Sequence, residues 1–176
     1  MTAGASGTSP RTVEPVGIRV RSARDERDFR AVVALRTRVF GVEQGLVGAD
    51  VIDDDDARSL HAMAEIEQRD QTIVVGTGRL TLASTVDHFG CEQAQIAWVA
   101  TLPEWRGRGV GGAVMRFLLD EADAMGAPSV LVSAQLHAAG LYRRFGFKPS
   151  GQRFEVGGIP HQLMVRRLQS REDARS

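Results

Sequence analysis

The chain has 176 residues and a mass of 19.1 kDa, which fits one ordinary domain burying about two thirds of the surface its unfolded chain exposes. Hydrophobic residues make up 43% and charged residues 25%, near the globular average, so a disordered or fibrous protein is excluded. Twenty-two basic residues balance 22 acidic ones, which argues against a binder of nucleic-acid backbones held by surplus positive charge.

The first fifteen residues, MTAGASGTSPRTVEP, are small and polar, cannot bury enough apolar area to offset their ordering entropy, and read as a flexible leader. They carry neither a basic nor an apolar signal region, and no apolar run approaches the roughly 20 residues that cross a bilayer. The single cysteine, Cys91, cannot form an internal disulfide. These features make the cytoplasm the default compartment, with no membrane partner.

From Val16 to Ser22 the β-branched residues alternate with polar ones, as in a strand. Asp25 to Phe40 then switches to helical spacing, with Phe29, Val32, Val33, Val39 and Phe40 on one side. Gly41 to Asp56 has too little periodicity for a long element and is expected to be loop with a short irregular helix. Leu60 to Glu67 and Gln71 to Ala83 form an antiparallel hairpin around Gln68, Arg69 and Asp70, and Gln95 to Thr101 is a fourth strand.

The clearest helical period follows, with Val110, Ala113, Val114, Phe117, Leu118, Ala122 and Met125 at steps of three and four, closed by Gly126. Ser129 to Ala134 suits a buried strand, and His137 to Phe145 a further helix ended by Gly146. Phe147 to Val156 and His161 to Leu168 are the last two strands, before a charged tail. Helices and strands interleave but hairpins sit at both ends, so an α/β or α+β mixed sheet is expected in one domain over residues 16–169.

The turn TLPEWRGRGVGGA joins the fourth strand to the best helix. Its glycines let a backbone approach a ligand closely, and the first amides of a helix have no internal acceptor and point along the positive end of its dipole. Arg106 and Arg108 add formal charge, so a diphosphate suits this pocket better than a single carboxylate. Gly107, Gly109 and Gly112 satisfy the dinucleotide pattern GxGxxG, but five residues separate the strand from the first glycine, and the acidic ribose ligand is absent after the next strand.

The other reading of the turn, Arg106-x-x-Gly109-x-Gly111 after Pro103, resembles motif A of the GNAT acyltransferases. Ala138-x-x-Leu141-Tyr142-x-x-x-Gly146-Phe147 resembles a second signature of that family. The segments Arg38 to Gln44, the acidic stretch leading to His61, and Gly158-Ile159-Pro160-His161 with Met164 are similar to its ElaA-like subgroup. The resemblance covers about residues 17 to 168. Gly157 departs from it, standing where an acidic residue is expected.

The resemblance implies a mostly antiparallel sheet splayed between the fourth and fifth strands, acetyl-CoA as donor and a primary amine as acceptor. Val99, Ala100 and Thr101 would bind pantetheine amides, as an extended chain pairs with a strand edge. The diphosphate would rest on Arg106, Gly107, Arg108, Gly109, Val110, Gly111 and Gly112, with Gln135 bonding the same donor. Tyr142 corresponds to the family's general acid. The base is open among Glu43, His61 and His161, with Glu43 favoured, and Phe40, His61 and His161 are candidates for the acceptor pocket.

Each feature has a plainer reading. Tyr142 fits a core tyrosine in an amphipathic helix. Asp50 and Asp53 to Asp56 with His61 match no metal loop and are expected to form a solvated acidic rim that attracts a cationic amine. No metal is expected, and a homodimer is left open. The alternatives to an N-acetyltransferase are an idle acyl-CoA sensor and a longer-chain acyltransferase, the latter because Arg38-Val39-Phe40 before acidic residues is faintly similar to autoinducer synthases.

Overall fold

The computed structural model describes residues 17–45, 51–86 and 92–168. The leader, the charged tail, Asp50 and Cys91 lie outside the described residues. Strand β1 (Arg19–Ser22) leads to α1 (Glu26–Arg36), whose start is set by Asp25: its carboxylate accepts the Asp28 N–H at 2.9 Å. Glu26 and Asp28 in the first turn suit the positive end of the helix.

The helix expected to stop at Phe40 does not end there. It widens over Thr37–Glu43 into turns bonded five residues apart, as Gln44 N–H to Val39 O at 3.2 Å shows. The expectation of a loop from Gly41 is corrected to this extent. Such widened turns insert a residue into the helix and recur at functional sites.

Strands β2 (Leu60–Gln68) and β3 (Gln71–Val86) form the expected hairpin. Arg69 and Asp70 sit at φ +49° and +60°, the two-residue turn whose twist matches that of the strands. β4 (Glu92–Thr101), α2 (Val110–Ala124) and β5 (Ser129–Gln135) follow, then the short α3 (Ala139–Arg144) and the hairpin β6 (Lys148–Val156) and β7 (Ile159–Arg167). Gly126 and Gly146, at φ +76° and +80°, end α2 and α3 in the left-handed region. The first strand starts at Arg19 rather than Val16, which lies outside the described residues, and the last starts at Ile159 rather than His161.

Among the described residues seven strands form one sheet in the order β1-β2-β3-β4-β5-β7-β6. Every neighbouring pair is antiparallel except β4–β5, which is parallel and joined by α2, as a parallel connection requires a crossover. That pair is short: only Ala94, Gln95 and Ile96 oppose β5, at Val130, Leu131 and Val132. Beyond Ile96 the two strands part, which is the splay the resemblance implies.

α2 buries Val110, Val114, Met115, Leu118, Leu119 and Ala122 against the sheet. Met125, assigned to this stripe from spacing, is 45% exposed. The approach is close because β3 offers Gly76 and Gly78: a Cβ added at Gly76 would lie 2.5 Å from Val110 Cγ1, and one at Gly78 2.8 Å from Leu118 Cδ1. A second cluster of Leu35, Val39, Ala100 and Leu102 joins α1 to the end of β4. Among the described residues no helix is long and apolar enough to cross a membrane.

Candidate active site

Where β4 and β5 part, a cavity of about 500 Å³ opens. The β4 backbone from Ala97 to Thr101 lines it without a β5 partner, so Val99, Ala100 and Thr101 present a strand edge to it. At the end of this edge stands the Gly-rich turn. Gly107 and Gly109 adopt φ +73° and +86°, which side chains rarely tolerate, and a Cβ at either would meet nothing within 4 Å. Among the described residues no side chain caps the start of α2 at Gly109; the first helical bond runs from Ala113 N–H to Gly109 O at 2.9 Å. The amides of Val110, Gly111 and Gly112 therefore precede the helical ladder and favour an anion.

Arg108 stacks on Trp105, its guanidinium carbon 4.8 Å from the ring centroid. Arg106 is held differently. Its Nη1 and Nη2 donate to the two carboxylate oxygens of Glu43 at 2.7 Å each, and its Nε donates to Thr101 O at 3.1 Å. The guanidinium lowers the Glu43 pKa below the usual carboxylate range. Beside this pair, Gln44 and Gln135 exchange amide hydrogen bonds of 3.2 and 2.9 Å. The widened end of α1 thus reaches both the glycine turn and the end of β5.

Tyr142 enters the cavity from α3 and is 8% exposed. Burial pushes its hydroxyl up to about 12, so it stays protonated throughout the neutral range. Phe40 lines the same cavity and meets Trp98 edge-on at 5.1 Å. His161, 9% exposed, lies on β7 opposite Gln135 and stacks on Phe154 at 5.8 Å. Its Nδ1 lies 2.7 Å from Ile159 O; a carbonyl only accepts, so Nδ1 carries a proton.

His61 is not brought to the cavity. It is buried at 7% exposure, 5.0 Å from the Phe29 ring, with Arg36 Nη2 3.0 Å from Nδ1 and Asp56 O 3.0 Å from Nε2. A guanidinium only donates, so Nδ1 accepts and Nε2–H donates to the carbonyl. Both ring nitrogens are engaged, and burial lowers the His61 pKa.

The acidic run is a solvated rim only in part: Asp53 and Asp54 are exposed, whereas Asp56 turns inward. Asp56 is 6% exposed and accepts from Arg36 at 2.8 Å and Arg79 at 3.0 Å, while Asp53 pairs with Arg79 and Asp55 with Arg58. Burial alone would raise the Asp56 pKa, but the hydrogen bonds from Arg36, the Asp53 backbone and Arg79 more than offset it. The two buried arginines need Asp56 as a shared counter-ion, which is why this one carboxylate turns inward.

Sequence reading also missed Trp98, which sits at φ +54° where β4 bulges. An alternating run gives no hint of a bulge. Arg36 did leave a signal: it lies four residues after Val32 and three before Val39, inside the apolar stripe of α1.

Residues 49–168 match the acetyltransferase (GNAT) domain family. A Bacillus subtilis (strain 168) protein described as an uncharacterized N-acetyltransferase, YjcF, is 28% identical over 82% of this chain and 96% of its own length. Among solved structures, Escherichia coli ElaA is 28% identical with a TM-score of 0.70, covering 85% of this chain and 99% of its own. An acyl-CoA N-acyltransferase from Pseudomonas aeruginosa is also 28% identical, with a TM-score of 0.64 over 86% of this chain and 99% of its own. The family match spans the splayed strands, the glycine turn and the helix bearing Tyr142, and by it this chain belongs to the GNAT acetyltransferase family.

Proposed function

We propose that the protein transfers an acetyl group from acetyl-CoA to a primary amine of a small molecule or protein, by direct attack of the amine. The observation that carries this reading is one continuous path: the unpaired β4 edge from Ala97 to Thr101 leads into the uncapped start of α2, with Tyr142 beside it. The description of the Pseudomonas aeruginosa relative as an acyl-CoA N-acyltransferase supports the class of donor and acceptor.

Acetyl-CoA supplies the activated acetyl group as a thioester. Val99, Ala100 and Thr101 hold its pantetheine by backbone hydrogen bonds, and the amides from Gly107 to Gly112 with Arg106 and Arg108 take the diphosphate. Gln135 bonds the donor through its side-chain amide. A backbone N–H at Val99 or Ala100 donates to the thioester oxygen as charge develops there. Tyr142, kept protonated by burial, donates its proton to the departing sulfur.

Phe40 and His161 wall the acceptor side. Glu43 takes the ammonium proton through water; Arg106 weakens it as a base, and a diphosphate that draws Arg106 away restores its basicity. The test is thiol release by purified protein with acetyl-CoA, with and without a broad amine panel. Release that depends on the amine supports transfer, whereas saturable donor binding without release supports an acyl-CoA sensor. Comparing acetyl-, octanoyl- and decanoyl-CoA separates a longer-chain enzyme.

A further inference from the structure

The acidic run from Asp53 to Asp56 has no part in the reaction just outlined, yet it is tied to the cavity wall. Asp56 Oδ2 accepts the backbone N–H of Asp53 at 2.9 Å, which closes a tight turn between them. From there one Asp53 oxygen accepts from Arg79 and the other accepts from the indole Nε1–H of Trp98 at 3.2 Å. Arg36, itself fully buried, sets its guanidinium carbon 5.3 Å from the centroid of the same ring, and Phe40 meets that ring edge-on. The indole is held by its N–H, its face and its edge.

Trp98 is also where β4 leaves regular pairing. Thr77 opposes Ala100 and Arg79 opposes Ala97, so Trp98 and Val99 share the single position of Gly78 on β3. A bulge of this kind re-aims the backbone beside it. A bulky residue at φ +54° persists only where its surroundings over-determine it. The surroundings here are the clasp on the indole, and the backbone beside it is Val99 and Ala100 at the cavity.

We infer that Asp53 is a positioning residue for acyl transfer: through the indole of Trp98 it fixes the β4 bulge and hence the placement of the Val99 and Ala100 backbone. This rests on the reading of the cavity as the acetyl-CoA site. Asp56 neutralises the buried arginines; Asp53 is the member of the cluster that reaches from them to the strand.

Trp98→Phe keeps an aromatic ring against Arg36 and Phe40 but removes the N–H. Its kcat falls about ten- to hundredfold, the cost of a misplaced reacting group, while calorimetric affinity for acetyl-CoA falls by less, because Thr101 and the glycine turn still hold the donor. Asp53→Ala behaves the same way, and the Trp98→Phe, Asp53→Ala double variant is no slower than either single one. The chain has two tryptophans, so its indole N–H resonances are two; that of Trp98 moves in Asp53→Ala.

Unchanged kcat in Trp98→Phe, additive losses in the double variant, or an indole resonance indifferent to Asp53→Ala overturns the inference. Should Asp53→Ala not fold, Asp53→Asn, which keeps one acceptor for the two donors, takes its place in the cycle and in the resonance experiment. Absence of donor binding and thiol release in the wild type sinks the functional reading instead, and the resonance experiment continues to report on the Asp53–Trp98 link alone.

Discussion

Glu43 and Arg106 form a two-pronged ion pair, both contacts 2.7 Å, that ties the widened end of α1 to the glycine turn before α2. Each partner is also a proposed participant in transfer. Both side chains are more than a third exposed, so the pair contributes little to stability and its interest lies in function. Glu43→Gln is expected to lower kcat by about a hundredfold or more at neutral pH while the fold melts unchanged, as befits loss of a base. Steady-state kinetics beside a melting curve checks this. Unaltered kcat with altered acetyl-CoA affinity would assign Glu43 to the ion pair alone.

Tyr142 is the only tyrosine in the chain, so the rise of tyrosinate absorbance with pH reports it by itself. Its midpoint is expected at about 12 in the folded protein, pushed up by burial, and about 10 in denaturant. A raised folded pKa gives stability that is complete below about pH 10 and lost as pH rises toward about 12, and Tyr142→Phe removes that loss. The same variant is expected to cut turnover about a hundredfold or more with donor affinity intact. Full turnover in a chemistry-limited assay would take Tyr142 out of the mechanism.

Asp56→Ala leaves Arg36 and Arg79 buried without their shared carboxylate. Breaking such a cluster by removing one partner costs about 3–5 kcal/mol, far more than any surface pair, and urea titration at neutral pH reads it directly. A loss under about 1 kcal/mol would mean the arginines find water in the folded state.

His61 gives the protein an acid-side weakness. Its Nδ1 accepts from Arg36, so protonation would place a second donor against a guanidinium, and burial already lowers its pKa. A depressed histidine pKa contributes stability present above the unfolded value and lost as pH falls below about 6.5. Asp56, also depressed, adds its own loss only when pH falls below about 4. Unfolding curves across this interval are expected to weaken in two stages, and a flat response between about pH 7 and 5 would refute the assignment to His61.

Gly76→Ala drives a methyl group to 2.5 Å from Val110 Cγ1 and 3.3 Å from the Ala100 carbonyl. The helix must shift or the strand bend, at about 1–3 kcal/mol. Because Val110 opens α2 beside the proposed diphosphate site, acetyl-CoA affinity is expected to fall as well. Equal stability and affinity would show that the helix yields freely.

The sequence carried the seven strands and the α2 stripe because those signals are local: alternation, a three-and-four spacing, and glycines closing the helices. It also carried the glycine turn and Tyr142, since closely spaced residues bear the resemblance to the GNAT family. Spacing put Met125 inside and cut α1 at Phe40, because it registers neither the end of the covering sheet nor the widened turn that carries the helix to Glu43.

What only the tertiary structure decided is which charges meet. Asp56 looks like part of a solvent-facing run, and His61 like a pocket residue, until Arg36 from α1 and Arg79 from β3 arrive from 20 or more positions away to claim them. An enclosed guanidinium pulls a carboxylate inward whatever the loop's own composition favours. The β4 bulge at Trp98 belongs to the same class, since its backbone is held by partners remote in sequence and no local pattern encodes them.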